Sequence, residues 1–314
     1  MKKLLVVVGP TASGKTSLSI ELAKKYNGEI VSADSMQIYR GMKIATAKPD
    51  ENEMSGIKHY LIDFLDPDQS YSVGKYVEDA KSAVEKILSK NKIPILCGGT
   101  GLYIDSFLNG IDFVDDSSDI ELRNELYKLA DEKGIDYLLK KLLEIDPYSY
   151  MRLYEQRNLK RIVRAIEFYK KTGVTISEQI ENSRNNEFEY DYLCFGLKAS
   201  DRQYLYNRIN KRVDIMVENG LVQEAQDVLQ SDLSETSSKA IGYKQLIPYF
   251  NNEASLEECI ERIKTETRRY AKRQLTWFKR NKNINWINID EIKTTEEQLN
   301  FISEIIDNRG FFNG

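Results

Sequence analysis

Leu4-Leu5-Val6-Val7-Val8-Gly9-Pro10-Thr11-Ala12-Ser13-Gly14-Lys15-Thr16 is the stretch that decides the fold. An apolar run followed at once by G-x-x-x-x-G-K-T predicts a strand, a phosphate-cradling loop and a helix. Gly9 and Gly14 let the backbone curl so that successive N–H groups converge on one anion. The helix opening near Gly14 adds the positive end of its dipole. Lys15 supplies a point charge for a distal phosphate, and the Thr16 hydroxyl can hold Mg²⁺. Gly9, Pro10, Thr11, Ala12, Ser13, Gly14, Lys15 and Thr16 are therefore expected to bind a phosphate or pyrophosphate. Read alone, the loop would point to ATP.

Working outward, the 314 residues are 41% hydrophobic and 30% charged with a net charge of −4, the balance of an ordinary globular protein. No stretch approaches the ~20 apolar residues needed to span a bilayer. The short apolar start runs straight into the loop, so no cleavable leader and no membrane attachment are expected. Cys97, Cys194 and Cys259 stand far apart among apolar neighbours and read as core residues in a reducing cytosol. His59 is the only histidine, which leaves little from which to build a zinc cluster or a Ser-His-Asp site.

Along the chain, Ser17–Tyr26 reads as a helix stopped by Asn27-Gly28, and Glu29–Ser32 as a second strand. The polar segment 33–41 follows at a strand's carboxyl end, where ligands sit in open α/β sheets. Residues 42–49 and 51–56 read as irregular and 60–63 as a short strand. A helix capped by Ser72 reaches Leu88, a strand covers Ile93–Cys97, and Gly98-Gly99-Thr100 turns into a helix to about Leu108. This alternation predicts a parallel sheet flanked by helices. From Asp115 to about Glu187 no strand is legible. Three amphipathic helices are, around Leu122–Ala130, Ile135–Leu143 and Leu159–Tyr169, with a break at Asp146-Pro147 and a loop over Asn182–Glu189. A strand returns at Tyr192–Leu197. Helices are expected over 201–218, from about Val222, over 239–250 and over 256–280, then a strand at Ile284–Ile289 and a helix after Thr294. The domain reading is a P-loop core (1–114), an all-helical insertion (115–188) and the rest of the core (189–314).

Charge has direction in this chain. Arg157, Lys160, Arg161, Arg164 and Lys171 fall opposite the apolar stripe around Leu159. On the long helix, Ile260, Ile263, Tyr270, Ala271 and Phe278 form one side, and Arg262, Arg268, Arg269, Lys272, Arg273, Lys279 and Arg280 spread over the other. A basic face is usually just solvated. Two of them in an acidic chain point to a polyanion such as nucleic acid. Tyr148, Tyr150 and Tyr154 are candidates for base stacking or for insertion core.

A P-loop ATPase normally carries a second strand ending in Asp to hold Mg²⁺. Here Ile93–Cys97 ends in Gly-Gly-Thr, which counts against nucleotide hydrolysis. Two acids are left, of which Asp63, like Asp66, reads as a turn residue. Asp34, at the end of strand two beside the P-loop, fits a magnesium ligand or a general base equally.

Several segments carry a resemblance: Gly9–Thr16, Ser32-Ala33-Asp34-Ser35-Met36-Gln37-Ile38-Tyr39-Arg40-Gly41-Met42 with Thr46-Ala47-Lys48-Pro49, and Gly98-Gly99-Thr100-Gly101-Leu102-Tyr103. Further on stand Arg161-Ile162-Val163-Arg164-Ala165-Ile166-Glu167, Ala240-Ile241-Gly242-Tyr243-Lys244 and the run from Thr267 to Phe278. In this order, to about residue 280, they resemble the tRNA dimethylallyltransferase (tRNA isopentenylpyrophosphate transferase) family in its bacterial type. The resemblance implies transfer of a dimethylallyl group from dimethylallyl pyrophosphate to N6 of the adenine 3′ of the anticodon in tRNA, with Mg²⁺ as cofactor. It implies a helical insertion that grips the anticodon stem-loop, and a cytoplasmic monomer is expected. On matching motifs, Asp34 is the base, Thr100 contacts substrate and Arg208 reaches the pyrophosphate. Asp34, Ser35, Met36, Gln37, Thr100, Arg123, Gln156, Arg157, Asn158, Leu159 and Lys160 correspond to tRNA-contacting positions. Two departures stand out: Ala45 where many members have Gly, and Glu155-Gln156-Arg157 where His-Pro-Asn is frequent. The competing readings are a small-molecule kinase using ATP and an isopentenyltransferase of free adenine nucleotide. A GTP-driven RNA-binding switch would need an Asn-Lys-x-Asp motif, which the chain lacks.

Overall fold

The computed structural model describes residues 1–111, 119–184 and 189–312. The chain divides into two compact units, one of residues 1–71, 78–105 and 189–314, the other of residues 72–77 and 106–188. The expected insertion, 115–188, falls inside the second. Its expected boundary at residues 114 and 115 lies outside the described residues.

The first unit is built on six parallel strands: β1 (Lys2–Val8), β2 (Gly28–Ser32), β3 (His59–Tyr60), β4 (Ile93–Gly98), β5 (Tyr190–Lys198) and β6 (Ile284–Asn288). Their order is β3-β2-β4-β1-β5-β6. Leu4 to Val8 are wholly buried, as the unbroken apolar run requires of a strand covered on both faces. In register, Leu5 and Val7 of β1 face Ile95 and Cys97 of β4 on one side and Leu193 and Phe195 of β5 on the other. The helices of this sheet are α1 (Lys15–Lys25), α2 (Glu51–Met54), α3 (Val73–Leu88) and α4 (Gly101–Leu108), the last two continuing into the second unit. Leu18 and Leu22 of α1 share a core cluster with Leu5, Val7 and Phe195. Because β1 sits between strands that follow it in opposite directions across the sheet, the chain reverses at its carboxyl end. That is where α/β sheets open a ligand crevice.

The second unit is helical: α5 (Ile120–Lys133), α6 (Ile135–Ile145), α7 (Pro147–Tyr154), α8 (Leu159–Thr172) and α9 (Ile176–Arg184). Leu126, Leu138, Leu142, Leu153, Ile162 and Ile166 form its core. The first unit closes with α10 (Arg202–Glu218), α11 (Leu221–Leu229), α12 (Ile247–Phe250), α13 (Leu256–Phe278) and α14 (Thr295–Asn308). Ile302 and Ile306 of α14 complete the cluster under β1.

The structure corrects several expectations. Asp146-Pro147 does not merely break a helix. Asp146 accepts from Ser149 N at 2.9 Å, and proline takes the first position of α7, where its missing N–H costs nothing. Residues 182–184 belong to α9 rather than to a loop, while 185–188 lie outside the described residues. Residues 51–54 form a short helix with an Asp50/Glu53 capping box. Strand β3 ends at Tyr60 because Leu61 and Asp63 adopt φ of 58° and 56°. The expected helix over 239–250 is broken: Ser237–Lys239 and Lys244–Leu246 are 3-10 turns, with Gly242 at φ 121° between them. Asp63 and Asp66 are structural, as expected, pairing with Lys48 and Arg40. All three cysteines are buried and free. Among the described residues no helix is long and apolar enough to cross a membrane.

One buried charge anchors β2. Glu29 accepts from Lys90 Nζ at 2.8 Å, Lys92 Nζ at 2.9 Å and the Tyr60 hydroxyl at 2.8 Å. Burial works against its ionisation, yet these partners hold the carboxyl down at about 2. A depressed carboxyl stabilises the fold above its unfolded pKa, about 4.3, and that contribution vanishes as pH falls toward 2. Glu29→Gln is therefore expected to cost about 2 kcal/mol at pH 7. In thermal melts, the gap to wild type should close between roughly pH 4.5 and 2. A gap independent of pH would contradict the ionic role.

Candidate active site

The P-loop leaves β1 and enters α1 through Gly14, whose φ of 94° is in the left-handed region that favours glycine. Ala12 is also left-handed, at φ 61°, a conformation that needs outside support. Arg208 of α10 supplies it, donating from Nε to the Ala12 carbonyl at 2.8 Å. Leu205, Ile209 and Ala271 seat Ala12 from behind.

Thr11, Ala12, Ser13, Gly14, Lys15 and Thr16 line a cavity of about 1530 Å³ together with Asp34, Ser35, Met36, Gln37, Arg208 and Arg212. Gly9 and Pro10 do not line it, although the Pro10 carbonyl accepts from Lys15 Nζ at 3.3 Å. Burial pushes the Lys15 ammonium below its ordinary value, while the charge of Asp34 favours its protonated form. The Ser13 hydroxyl is buried without a hydrogen-bond partner among the described residues. A phosphate would satisfy both groups.

Asp34 stands at the carboxyl end of β2. One of its oxygens, Oδ1, accepts from Met36 N at 2.9 Å and from Gln37 N at 3.3 Å, which fixes the turn. Its field reaches Lys15, Tyr103, Arg212 and Tyr270, so it is the central anion of the site. Gln37 donates to the carbonyls of Thr46 and Ala47 at 3.2 and 3.1 Å, tying the two loops together.

Thr100 does not line the cavity. Its Oγ1 accepts from Ser35 N at 3.0 Å, so here it braces the Asp34 turn against the end of β4.

Thr16 lies in the first turn of α1 with its hydroxyl uncommitted to other described side chains. Among the described residues no group of three or more His, Cys, Asp or Glu side chains could hold a metal. This donor set fits Mg²⁺ shared with substrate phosphate oxygens rather than a closed protein cage.

Sequence reasoning missed three site residues. Arg212, one turn beyond Arg208 on the same face of α10, lines the cavity and makes no ion pair or hydrogen bond among the described residues. Burial lowers its pKa, opposed by the charges of Asp34 and Glu53. The i,i+4 spacing of two arginines on one helix was the available signal. Gln274 of α13 reaches both the P-loop and the end of β4. Glu224 of α11 accepts from the amides of Lys43, Ile44 and Ala45 at 2.8, 2.7 and 2.9 Å and from the Tyr243 hydroxyl at 2.9 Å. It thereby holds the cavity wall formed by residues 43–50. Ala45 Cβ lies against Gly242, where a side chain would meet it at 3.0 Å, which accommodates the methyl.

The remaining predicted positions lie in the helical unit and are partly committed. Arg123 grips Glu167, with Nη2 to Oε2 at 3.0 Å and Nε to Oε2 at 3.1 Å. Arg157 pairs with Asp136 at 2.9 Å, and Gln156 Oε1 accepts from Arg161 at 2.9 Å. Asn158 caps α8, Leu159 packs on the helical core, and Lys160 is exposed. Tyr150 joins that core, whereas Tyr148 and Tyr154 are 66% and 50% exposed. On α13, Arg268 turns inward to Asn210 Oδ1 at 2.7 Å and leaves the expected basic face.

Comparison with known proteins gives the family. The family model described as IPP transferase matches residues 37–281. The tRNA dimethylallyltransferase of Acetivibrio thermocellus is 48% identical over 314 residues, 99% of this chain and 100% of the relative. That of Bacillus cytotoxicus is 48% identical over 302 residues, 96% of this chain and 95% of the relative. A solved tRNA delta(2)-isopentenylpyrophosphate transferase from Staphylococcus epidermidis aligns with a TM-score of 0.71 at 42% identity, covering 98% of this chain and 100% of that one. A eukaryotic dimethylallyltransferase acting on tRNA aligns with a TM-score of 0.80 at 30% identity, covering 100% of this chain and 80% of that one. With the family model matched over residues 37–281 and curated relatives 48% identical over nearly the whole of both chains, the chain belongs to the IPP transferase family, that of the tRNA dimethylallyltransferases.

Proposed function

We propose that the protein transfers a dimethylallyl group from dimethylallyl pyrophosphate to N6 of the adenine 3′ of the anticodon in tRNA, releasing pyrophosphate. The observation that carries this reading is the pairing of a P-loop with Asp34 across one cavity, while β4 ends in Gly98-Gly99-Thr100 with no carboxylate. That arrangement suits a leaving pyrophosphate and a proton acceptor better than nucleotide hydrolysis.

The chemistry follows from what each residue can do. Pyrophosphate departs readily once its charge is neutralised. The P-loop amides, Lys15, Arg208 and Arg212 are cationic or donor groups preorganised on its site. Mg²⁺, held by Thr16, would add charge neutralisation at the same oxygens. The exocyclic amine is a poor nucleophile because its lone pair is delocalised into the ring. As the C–N bond forms and the C–O bond to pyrophosphate breaks, the N6 proton passes to the Asp34 carboxylate. Oδ1 is engaged by Met36 and Gln37, which orients the other oxygen for this role. A carboxylate base contributes ~10²–10⁴ in rate.

The adenine must leave its stack to reach a pocket. Lys160 and Arg161, on the exposed side of α8, supply charge for stem phosphates, since A-form RNA is read largely by shape. The protein acts as a monomer on this reading.

Arg212→Gln is expected to raise KM for dimethylallyl pyrophosphate about tenfold without changing KM for tRNA. Steady-state kinetics with each substrate varied decide this. An effect on KM for tRNA alone would move Arg212 to the RNA side. The reading as a whole is tested with unmodified tRNA, Mg²⁺ and dimethylallyl pyrophosphate, followed by mass spectrometry of nuclease fragments. One adenosine, next to the anticodon, should gain the dimethylallyl mass. Modification elsewhere, or none, contradicts the proposal.

A further inference from the structure

Gln274 sits near the carboxyl end of a helix otherwise rich in surface cations, yet it is buried. Its carboxamide uses both ends. Oε1 accepts from the P-loop amide of Thr11 at 2.9 Å, and Nε2 donates to the Gly99 carbonyl at 3.0 Å. The place a Gly99 side chain would take is filled by Nε2, 2.2 Å from that position. One turn earlier on α13, the Tyr270 hydroxyl lies beside the Thr100 and Gln274 side chains, and burial keeps that phenol neutral. One turn later, the Trp277 ring packs on Gly101, and its Nε1 donates to Asp105 at 2.6 Å.

These contacts join into a chain. Thr11 of the P-loop is tied to Gln274, and Gln274 to Gly99. The next residue, Thr100, accepts from Ser35 N at 3.0 Å, and Ser35 follows Asp34. Beside the sheet itself, in which β4 pairs with both β1 and β2, the cradle for the leaving group and the turn that carries the base are thus linked through the Gln274 and Thr100 side chains. The end of β4 pairs with the end of β1, Val8 opposite Gly98, and Thr100 N donates to the Ala33 carbonyl at 3.1 Å; beyond Val8, the Gln274 carboxamide carries the tie to the P-loop at Thr11. Displacement at a carbon requires the nucleophile, the carbon and the leaving oxygen nearly in line. A shift of about 1 Å between the two halves of such a site costs on the order of 10² in rate.

We propose that Gln274 is a positioning residue that sets the register between the pyrophosphate cradle and Asp34. The inference rests on the proposed transfer reaction. Only an amide serves, because one end must accept and the other donate. Gln274→Met fills the same space and breaks both bonds. Gln274→Glu keeps the acceptor for Thr11 N but sets a carboxylate oxygen against the Gly99 carbonyl.

The test compares wild type with both variants by steady-state transfer to tRNA, binding of inorganic pyrophosphate and of tRNA by calorimetry, and melting temperature. The expected result is a kcat about 10- to 100-fold lower in Gln274→Met with both dissociation constants within about threefold of wild type, and in Gln274→Glu a loss of kcat together with weaker pyrophosphate binding and unchanged tRNA binding, because its carboxylate repels the anion. A purely structural role would lower the melting temperature and leave kcat per folded molecule unchanged. That outcome overturns the proposal, as does a loss of kcat matched by equal losses in both affinities. Absence of transfer by the wild-type protein would instead overturn the proposed function.

Discussion

Asp34→Asn is expected to lower kcat about 10²- to 10⁴-fold while leaving the dissociation constant for tRNA within about threefold of wild type. The substitution separates two jobs of one side chain. The amide oxygen still accepts from Met36 N and Gln37 N, so the turn after β2 persists. What disappears is the basicity needed to take a proton from N6. Asp34→Ala removes both, and the difference between the two variants measures the turn's share. Single-turnover transfer and equilibrium tRNA binding are the measurements. If tRNA affinity falls in step with rate in the Asn variant, Asp34 is an RNA-positioning residue and not the base.

Replacing Lys15 by Met should be nearly as damaging, by a different route. The ammonium is buried beside the P-loop, and in the protein alone its nearest acceptor is the Pro10 carbonyl at 3.3 Å. Its charge is held in place for an anion. Loss of one preorganised charge at a departing group costs roughly 10²–10³ in kcat/KM for dimethylallyl pyrophosphate. tRNA binding should not change.

The pH dependence has a definite sign. Burial lowers the Lys15 pKa, so the charge is lost at a lower pH than for an ordinary lysine. Affinity for inorganic pyrophosphate should therefore weaken on the alkaline side in the wild type, and the Met variant should lack that limb. Equal alkaline weakening in both proteins would assign the titration elsewhere.

Much of this site was legible because its chemistry is local in sequence. The P-loop is one continuous motif, and Asp34 and Thr100 stand at strand ends, where crevices open. The Gly98-Gly99-Thr100 ending of β4 also told against hydrolysis. Arg212 and Gln274 were not legible, because their roles depend on how α10 and α13 approach the P-loop. Within their own helices, one looks like surface charge and the other like a solvent-facing polar residue. Glu224 is hidden for the same reason, since its partners are backbone amides some 180 residues away.

The misread elements share a local cause. Asp146-Pro147 does end α6, as the proline predicted, but the same pair also opens α7 because Asp146 caps it. The stretch 239–250 read as a single helix, and Gly242 at φ 121° overrides it. Arg123 was placed by motif alone. Its guanidinium is already engaged by buried Glu167, which accepts from Asp119 N as well.

The central claim is that the P-loop holds a leaving pyrophosphate and not a nucleotide. The measurement that meets it most directly is the stoichiometry of pyrophosphate release during modification of tRNA in a reaction containing Mg²⁺ and dimethylallyl pyrophosphate but no ATP. The expected result is one pyrophosphate for each N6-dimethylallyl adenosine formed, unchanged when ATP is added. A reaction that requires ATP, or that moves phosphate from ATP while no adenosine gains the allyl group, would contradict it.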